Sequence, residues 1–311
     1  MPVHPEIQKI LAFIPPYDAS VRVDPNEHRN MFNAPSIPEA ERAAVHHIEE
    51  RVIQLAHRDI TIRIYTPHEA ETYPILMYYH GGAFFAGNLE SHDEVARPLC
   101  ASSGYKVIAI DYRLAPEHPF PAGLNDCYDV TKWVTQHADE LQWDGEHLAV
   151  SGDSSGGNFA AVITQLARER QEFTITKQVL LYPSVDVTFD AAKYPSVSEN
   201  GTGYFVEAAQ LPELNHFYLQ TVDSLMNPLV SPIYASTFTD LPEALVVVAE
   251  FDPMRDEGIA YAKKLAAADV AVTTKVYEGV THGFLGKWTH LPEYAGVYDD
   301  IGAFLKRAVT V

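Results

Sequence analysis

Residues Gly152-Asp153-Ser154-Ser155-Gly156 match G-x-S-x-G, a serine with glycine two places before and two places after it. The apolar run HLAV precedes the match, and AAVITQLARER, with helical apolar spacing, follows it. Strand, sharp turn, then helix is the setting a nucleophile elbow requires. Glycine serves there for a steric reason: the turn brings backbone so close that a Cβ at either flank would collide. Ser155 is not the centred serine, because Asp153 stands where its upstream glycine would have to be. The competing explanation is a Gly/Ser turn that caps the helix through Ser154 or Ser155.

A serine hydroxyl is a weak nucleophile near neutral pH and needs an adjacent base, itself oriented by a carboxylate. On a parallel sheet these partners are sought in loops past later strands, first Asp or Glu and then His. After EALVVVAE comes FDPMRDEG, offering Asp252 with Asp256 as competitor; after TTKVYEG comes VTHGF, offering His282. Asp252 stands 98 residues beyond Ser154, and His282 a further 30. Pro253 disfavours helix at Asp252, whereas Asp256 suits a first helical turn, where a carboxylate meets the helix dipole. With 14 histidines in the chain, one in a loop is weak evidence; the three placements together carry the argument.

A serine attacking a carbonyl also needs donors for the oxyanion that forms. YYHGGAFFAGN (78–88) follows another apolar run, and its small residues would let the N–H groups of Gly81, Gly82 and Ala83 face a substrate oxygen. The N–H of Ser155 would complete the set. The alternative is a tight loop that needs glycine only for its turn. His80 reads as structural, holding the loop in shape through a hydrogen bond.

These residues need a frame that aligns strand ends. Short apolar runs recur at 74–79, 106–111, 147–151, 178–182, 243–249 and 273–278, most of them continuous, as expected of strands buried on both faces. Helical spacing fills the gaps at 126–141, 157–170 and 256–268. The alternation predicts an α/β fold, a mostly parallel central sheet flanked by helices. DITIRIY (59–65) alternates strictly and predicts an antiparallel strand near the sheet edge. Residues 1–45 and 186–235 carry no strand signal; they are expected to pack together as a helical cap over a core of 46–185 and 236–311. VHHIEE (45–50) lacks the H-E-x-x-H order of a zinc site and reads as a solvated polar face.

Composition narrows the partners. The chain has 311 residues, 47% hydrophobic and 21% charged, an ordinary globular balance. Its 22 Lys and Arg against 42 Asp and Glu give a net charge of -20, which repels phosphate backbones and argues against nucleic acid. The first residues lack the basic start and apolar core of a signal peptide, and no apolar run approaches the roughly 20 residues of a membrane span. Cys100 and Cys127 form no CxxC pair or metal-ligand spacing, and read as reduced thiols of a cytoplasmic protein.

Taken together, HGGAFFAGN, DYRLAPEHPFPAG (111–123), GDSSGGN, NPLVSPIYA (227–235), FDPMRDEG and HGF resemble the hormone-sensitive-lipase-like branch of the α/β-hydrolases, in that family's order and rough spacing. The resemblance covers residues 50–310. It implies a serine carboxylesterase for short to medium acyl esters, with Ser154, Asp252 and His282 as triad, an oxyanion hole from Gly81, Gly82, Ala83 and the Ser155 amide, and no cofactor. The cap of 1–45 and 186–235 follows from the same resemblance, and many members dimerise, so a homodimer is among the expected partners. Two departures stand out: HGGA where HGGG is commonest, and GDSSGG where GDSAGG is commonest. Both donors concerned are backbone N–H groups, so activity is expected to survive. Arg113 and Glu117 in the proline-rich segment read as a salt-bridged turn. Phe205, Phe217 and Tyr218 are candidates to line the pocket, with ordinary cap packing the alternative. The rival functions are a peptidase or amidase on the same fold, a lipase acting at oil–water interfaces, and a non-catalytic small-molecule receptor on a hydrolase scaffold.

Overall fold

A strand covered on both faces needs apolar residues at consecutive positions, and that requirement sorts the sheet of this protein. The computed structural model describes residues 2–14, 18, 20–33, 37–220 and 225–308. Eight strands form one sheet: β1 (His47–Leu55), β2 (Arg58–Thr66), β3 (Tyr73–Tyr79), β4 (Lys106–Ile110), β5 (Trp143–Asp153), β6 (Lys177–Leu181), β7 (Glu243–Phe251) and β8 (Val272–Thr281). Their order is β1-β2-β4-β3-β5-β6-β7-β8. β2 runs antiparallel to both β1 and β4, and the pairings from β4 through to β8 are parallel. The mostly parallel sheet is the one expected, and DITIRIY forms β2, the second strand from one edge.

Alternate residues of the inner strands enter two separate cores. Met77, Ile108, Val150, Leu180 and Val246 face one side, while Leu76, Val107, Ala149, Val179 and Val247 face the other. In chain order the helices are α1 (Pro5–Leu11), α2 (Pro25–Phe32), α3 (Asp93–Ser103), α4 (Ala122–Gln136), α5 (Ala138–Leu141), α6 (Ser155–Arg170), α7 (Pro195–Glu199), α8 (Leu211–Tyr218), α9 (Arg255–Ala267) and α10 (Val297–Lys306). α4, α6 and α9 fill the first core, and α3 with α10 the second. α6 is buried from Ser155 through Ala167, as befits the helix packed behind the central strands.

Two elements differ from the sequence reading. VHHIEE is exposed or half-buried, as a solvated polar face should be, but it leads into β1, a nine-residue edge strand for which no strand signal was noted. Its open side removes the demand for apolar residues: Val52 is exposed and Ile53 buried, while Glu50 pairs with Arg63 of β2 at 2.6 Å. The helical run 126–141 is broken at His137, which leaves helical geometry and stacks on Trp133 with ring centroids 4.0 Å apart. Among the segments expected to form a cap, α1 packs on the second core instead. Ile7 is fully buried beside Val280, Phe284 and Tyr294, and the His4 N–H donates to the Gly279 carbonyl at 2.9 Å.

Candidate active site

β5 ends at Asp153 and α6 begins at Ser155, so Ser154 occupies the turn between them, with φ 54° and ψ −119°. A non-glycine residue is strained there and is held by its surroundings. The Ser154 N–H donates to the Leu181 carbonyl at 2.9 Å, and its own carbonyl accepts from Ser184 at 3.1 Å. A Cβ at Gly152 would run into the carbonyls of Gly156 and Tyr79, and one at Gly156 into those of Tyr79 and His80. Glycine is therefore required at both flanks, which accounts for the motif.

Asp252 and His282 come from the loops after β7 and β8, and the fold brings both to Ser154. His282 Nδ1 lies 2.7 Å from Asp252 Oδ2, and His282 Nε2 lies 2.9 Å from Ser154 Oγ. Asp252 is fully buried, and its second oxygen accepts the Met254 N–H at 2.8 Å. With both oxygens engaged, the carboxylate fixes the imidazole, whose ring also meets Tyr182 edge-on at 5.0 Å. The competitor Asp256 lies in the first turn of α9 and is spent elsewhere, on Arg255 Nε at 2.9 Å and the Ser196 N–H at 2.8 Å.

The loop after β3 presents three successive small residues, but they are not equivalent. The Gly81 N–H donates to Asp153 Oδ1 at 2.8 Å. That corrects its expected place among the oxyanion donors, because its hydrogen is already used. The N–H groups of Gly82, Ala83 and Ser155 have no acceptor among the described residues, and all three residues adjoin Ser154 or the cavity it faces. Ala83 has φ 51° and Phe84 φ 66°, both left-handed without being glycine. His80 is buried with Nδ1 2.8 Å from the Gly81 carbonyl and its ring stacked 4.2 Å from Tyr112. Burial holds its pKa down at about 3, so it stays neutral and structural.

Asp153 is the residue that sequence reading passed over, although it stands inside the motif. Its Oδ1 accepts both the Tyr78 hydroxyl, at 2.6 Å, and the Gly81 N–H; its Oδ2 lies 3.5 Å from His92 Nε2. Burial alone would raise its pKa, but the charge and hydrogen bonds of His92 and Tyr78 outweigh that and lower it. One carboxylate thus pins the oxyanion loop to the elbow.

Ser154 and His282 open into a cavity of about 480 Å³. His28, Met31 and Phe32 of α2 line it from the N-terminal segment, and Phe205, Leu211 and Leu214 from the segment before and within α8. The two segments also touch directly, the Val23 N–H donating to Glu213 Oε1 at 3.3 Å. Of the three aromatic candidates only Phe205 lines the cavity. Tyr218 is buried and stacked on Phe84 at 3.9 Å, and Phe217 meets Phe85 edge-on at 5.2 Å. Arg113 and Glu117 are both ion-paired but not with each other: Arg113 holds buried Asp126 at 2.8 Å, and Glu117 holds Arg29 of α2 at 2.5 Å. Among the described residues no helix is long and apolar enough to cross a membrane, and no acidic, histidine or cysteine cluster could hold a metal ion.

Known proteins resemble this chain in sequence and in fold. Residues 76–286 match the family model described as alpha/beta hydrolase fold. The carboxylic ester hydrolase LipN of Mycobacterium tuberculosis is 40% identical over 233 residues, 73% of this chain and 61% of that protein. An arylesterase of Saccharolobus solfataricus is 34% identical over 291 residues, 92% of this chain and 93% of the other. Among solved structures, a hyperthermophilic esterase from the archaeon Pyrobaculum calidifontis superposes with a TM-score of 0.88 at 35% identity, covering 98% of both chains.

Proposed function

The chain belongs to the α/β-hydrolase fold family, in its hormone-sensitive-lipase-like branch, and from that premise we propose that it is a serine carboxylesterase for short- to medium-chain acyl esters. The observation that carries the reading is the hydrogen-bonded line from Asp252 through His282 to Ser154, ending on a strained serine that faces a cavity beside free N–H groups. In this mechanism Ser154 Oγ attacks the ester carbonyl while His282 Nε2 takes its proton. The N–H groups of Gly82, Ala83 and Ser155 receive the oxyanion, each such donor being worth about 3 kcal/mol to the transition state. His282 then protonates the departing alcohol, and next draws a proton from water, which releases the acid from Ser154. Asp252 holds the imidazole tautomer and stabilises the imidazolium. The segment around α2 and residues 186–235 act as the cap, and their aromatic and aliphatic side chains limit acyl length. We place the protein in the cytoplasm, where its free cysteines Cys100 and Cys127 remain reduced. A homodimer is supported by the two edge strands, on which Val52 of β1 and Val276 of β8 are exposed.

The test is hydrolysis of 4-nitrophenyl esters from acetate to decanoate by the native protein and by Ser154→Ala, beside aminoacyl 4-nitroanilides. Turnover should be strongest on short to medium esters, with kcat roughly 10⁴-fold or more lower in the variant. Undiminished turnover in Ser154→Ala would remove the serine from its role, and faster cleavage of the anilides would move the reading to a peptidase.

A further inference from the structure

We propose that Lys287 makes this cavity selective for esters that also carry a carboxylate, with the Lys287 ammonium as its counter-ion; the proposal rests on the esterase reading above. Lys287 lines the cavity that holds Ser154 and His282. A Cβ built at Gly283, the residue after His282, would lie 4.0 Å from Lys287 Nζ. The same Nζ stands 5.9 Å from the ring centre of Phe32 and 5.8 Å from that of Phe205, between the two segments that cover the cavity.

Lys106 and Lys177 are buried, whereas Lys287 is exposed, and the three are satisfied differently. Lys106 donates to the Leu141 carbonyl at 2.8 Å, and Lys177 to the carbonyls of Phe304 and Leu305 at 2.8 and 3.0 Å. Lys287 Nζ has no such acceptor and no carboxylate within 4.0 Å among the described residues. Glu94 and Asp153, also on the cavity wall, act on it only from beyond that distance and favour its charged form. An ammonium that lines the cavity between two aromatic rings, with no acceptor of its own among the described residues, is placed to pair with an anion that enters with the substrate. The acidic surface and the three wall carboxylates, Glu94, Asp153 and Glu207, repel an anionic ester that the ammonium does not hold, and Lys287 is the one lysine or arginine among the described lining residues.

The test uses two matched pairs on the purified full-length protein, with uncatalysed hydrolysis subtracted. The acyl-side pair is the 4-nitrophenyl monoester of adipic acid against 4-nitrophenyl hexanoate. The alcohol-side pair is 4-acetoxybenzoate against its methyl ester. The native protein should prefer the anionic member of at least one pair in kcat/KM by about two- to fivefold, the range of an exposed charge pair. Lys287→Gln should abolish that ratio and Lys287→Arg should keep it. A native protein that favours the neutral member in both pairs overturns the proposal whatever the variants do. So does an equal loss of the ratio in Lys287→Gln and Lys287→Arg, which would mark shape rather than charge. Failure to hydrolyse any of the four esters would instead count against the esterase reading itself.

Discussion

Replacing Asp153 by alanine should disable the site while leaving the serine and the histidine in place. Its Oδ1 receives two buried donors, the Tyr78 hydroxyl and the Gly81 N–H. Truncation leaves both unsatisfied, at about 1–3 kcal/mol each, so folding stability should fall by about 2–6 kcal/mol. Gly81 leads directly into Gly82 and Ala83, and a loop that has lost its anchor no longer aims those N–H groups at the oxyanion. A misplacement near 1 Å, or the loss of one donor, costs on the order of 10²-fold in kcat. The assay is kcat and KM on 4-nitrophenyl butyrate at a temperature well below the variant's melting transition. The expected result is a loss mostly in kcat, with Asp153→Asn, which keeps an acceptor oxygen at the same place, recovering much of it. An Asp153→Ala protein that melts early but retains kcat within threefold of native would refute the reasoning. The pH dependence has a definite sign. The folded-state pKa of Asp153 is lowered, so its stabilisation is present above the ordinary carboxylate range and lost as pH falls through the folded value.

Three further outcomes follow from the same geometry. Ala83 sits at φ 51°, where a Cβ costs about 1–2 kcal/mol, so Ala83→Gly should gain roughly 0.5–1 kcal/mol after its extra unfolded-state entropy, read as a raised urea midpoint. His80 is buried with a pKa of about 3, so the unfolded chain binds a proton that the folded one refuses as pH falls below about 6.5. Roughly 2 kcal/mol should be lost by pH 5 on that account, and His80→Gln should flatten the urea-midpoint slope between pH 7 and 5; an unchanged slope would exclude the assignment. Burial pushes the Cys100 thiol up to about 12 and raises Cys127 as well, so Ellman's reagent should label neither in the native protein and both in guanidinium.

Much of the frame was legible because inner strands and the elbow impose strong local rules. Continuous apolar runs marked β3 to β7, and glycine two places either side of Ser154 marked a turn that tolerates no Cβ. Asp252 and His282 were legible as positions, since parallel strands deliver their following loops to one edge of the sheet. β1 was not, because an edge strand with both faces partly wet can be written HIEERVIQL with its charges paired across to β2. Gly81 and Asp153 show a different limit. The motif fixes which N–H groups are near the site, but only the fold tells which are already donated. Phe217 and Tyr218 were plausible from the segment that holds them, yet a short helix turns successive side chains to different neighbours, and theirs face Phe85 and Phe84. Lys287 carried no sequence signal at all; its interest arises from Phe32 and Phe205, distant in the chain, whose ring centres the fold brings to 5.9 and 5.8 Å from its ammonium.

The central claim is that Ser154 is the nucleophile of an acyl transfer, and covalent trapping tests it most directly. The native protein would be inactivated with diethyl 4-nitrophenyl phosphate, digested, and mapped by mass spectrometry, with residual esterase activity followed in parallel. One diethylphosphoryl group per chain on Ser154, appearing in step with the loss of activity and absent from Ser154→Ala, is the predicted result. Modification at Ser155 or at another residue in step with inactivation, or full activity in a chain modified at Ser154, would contradict it.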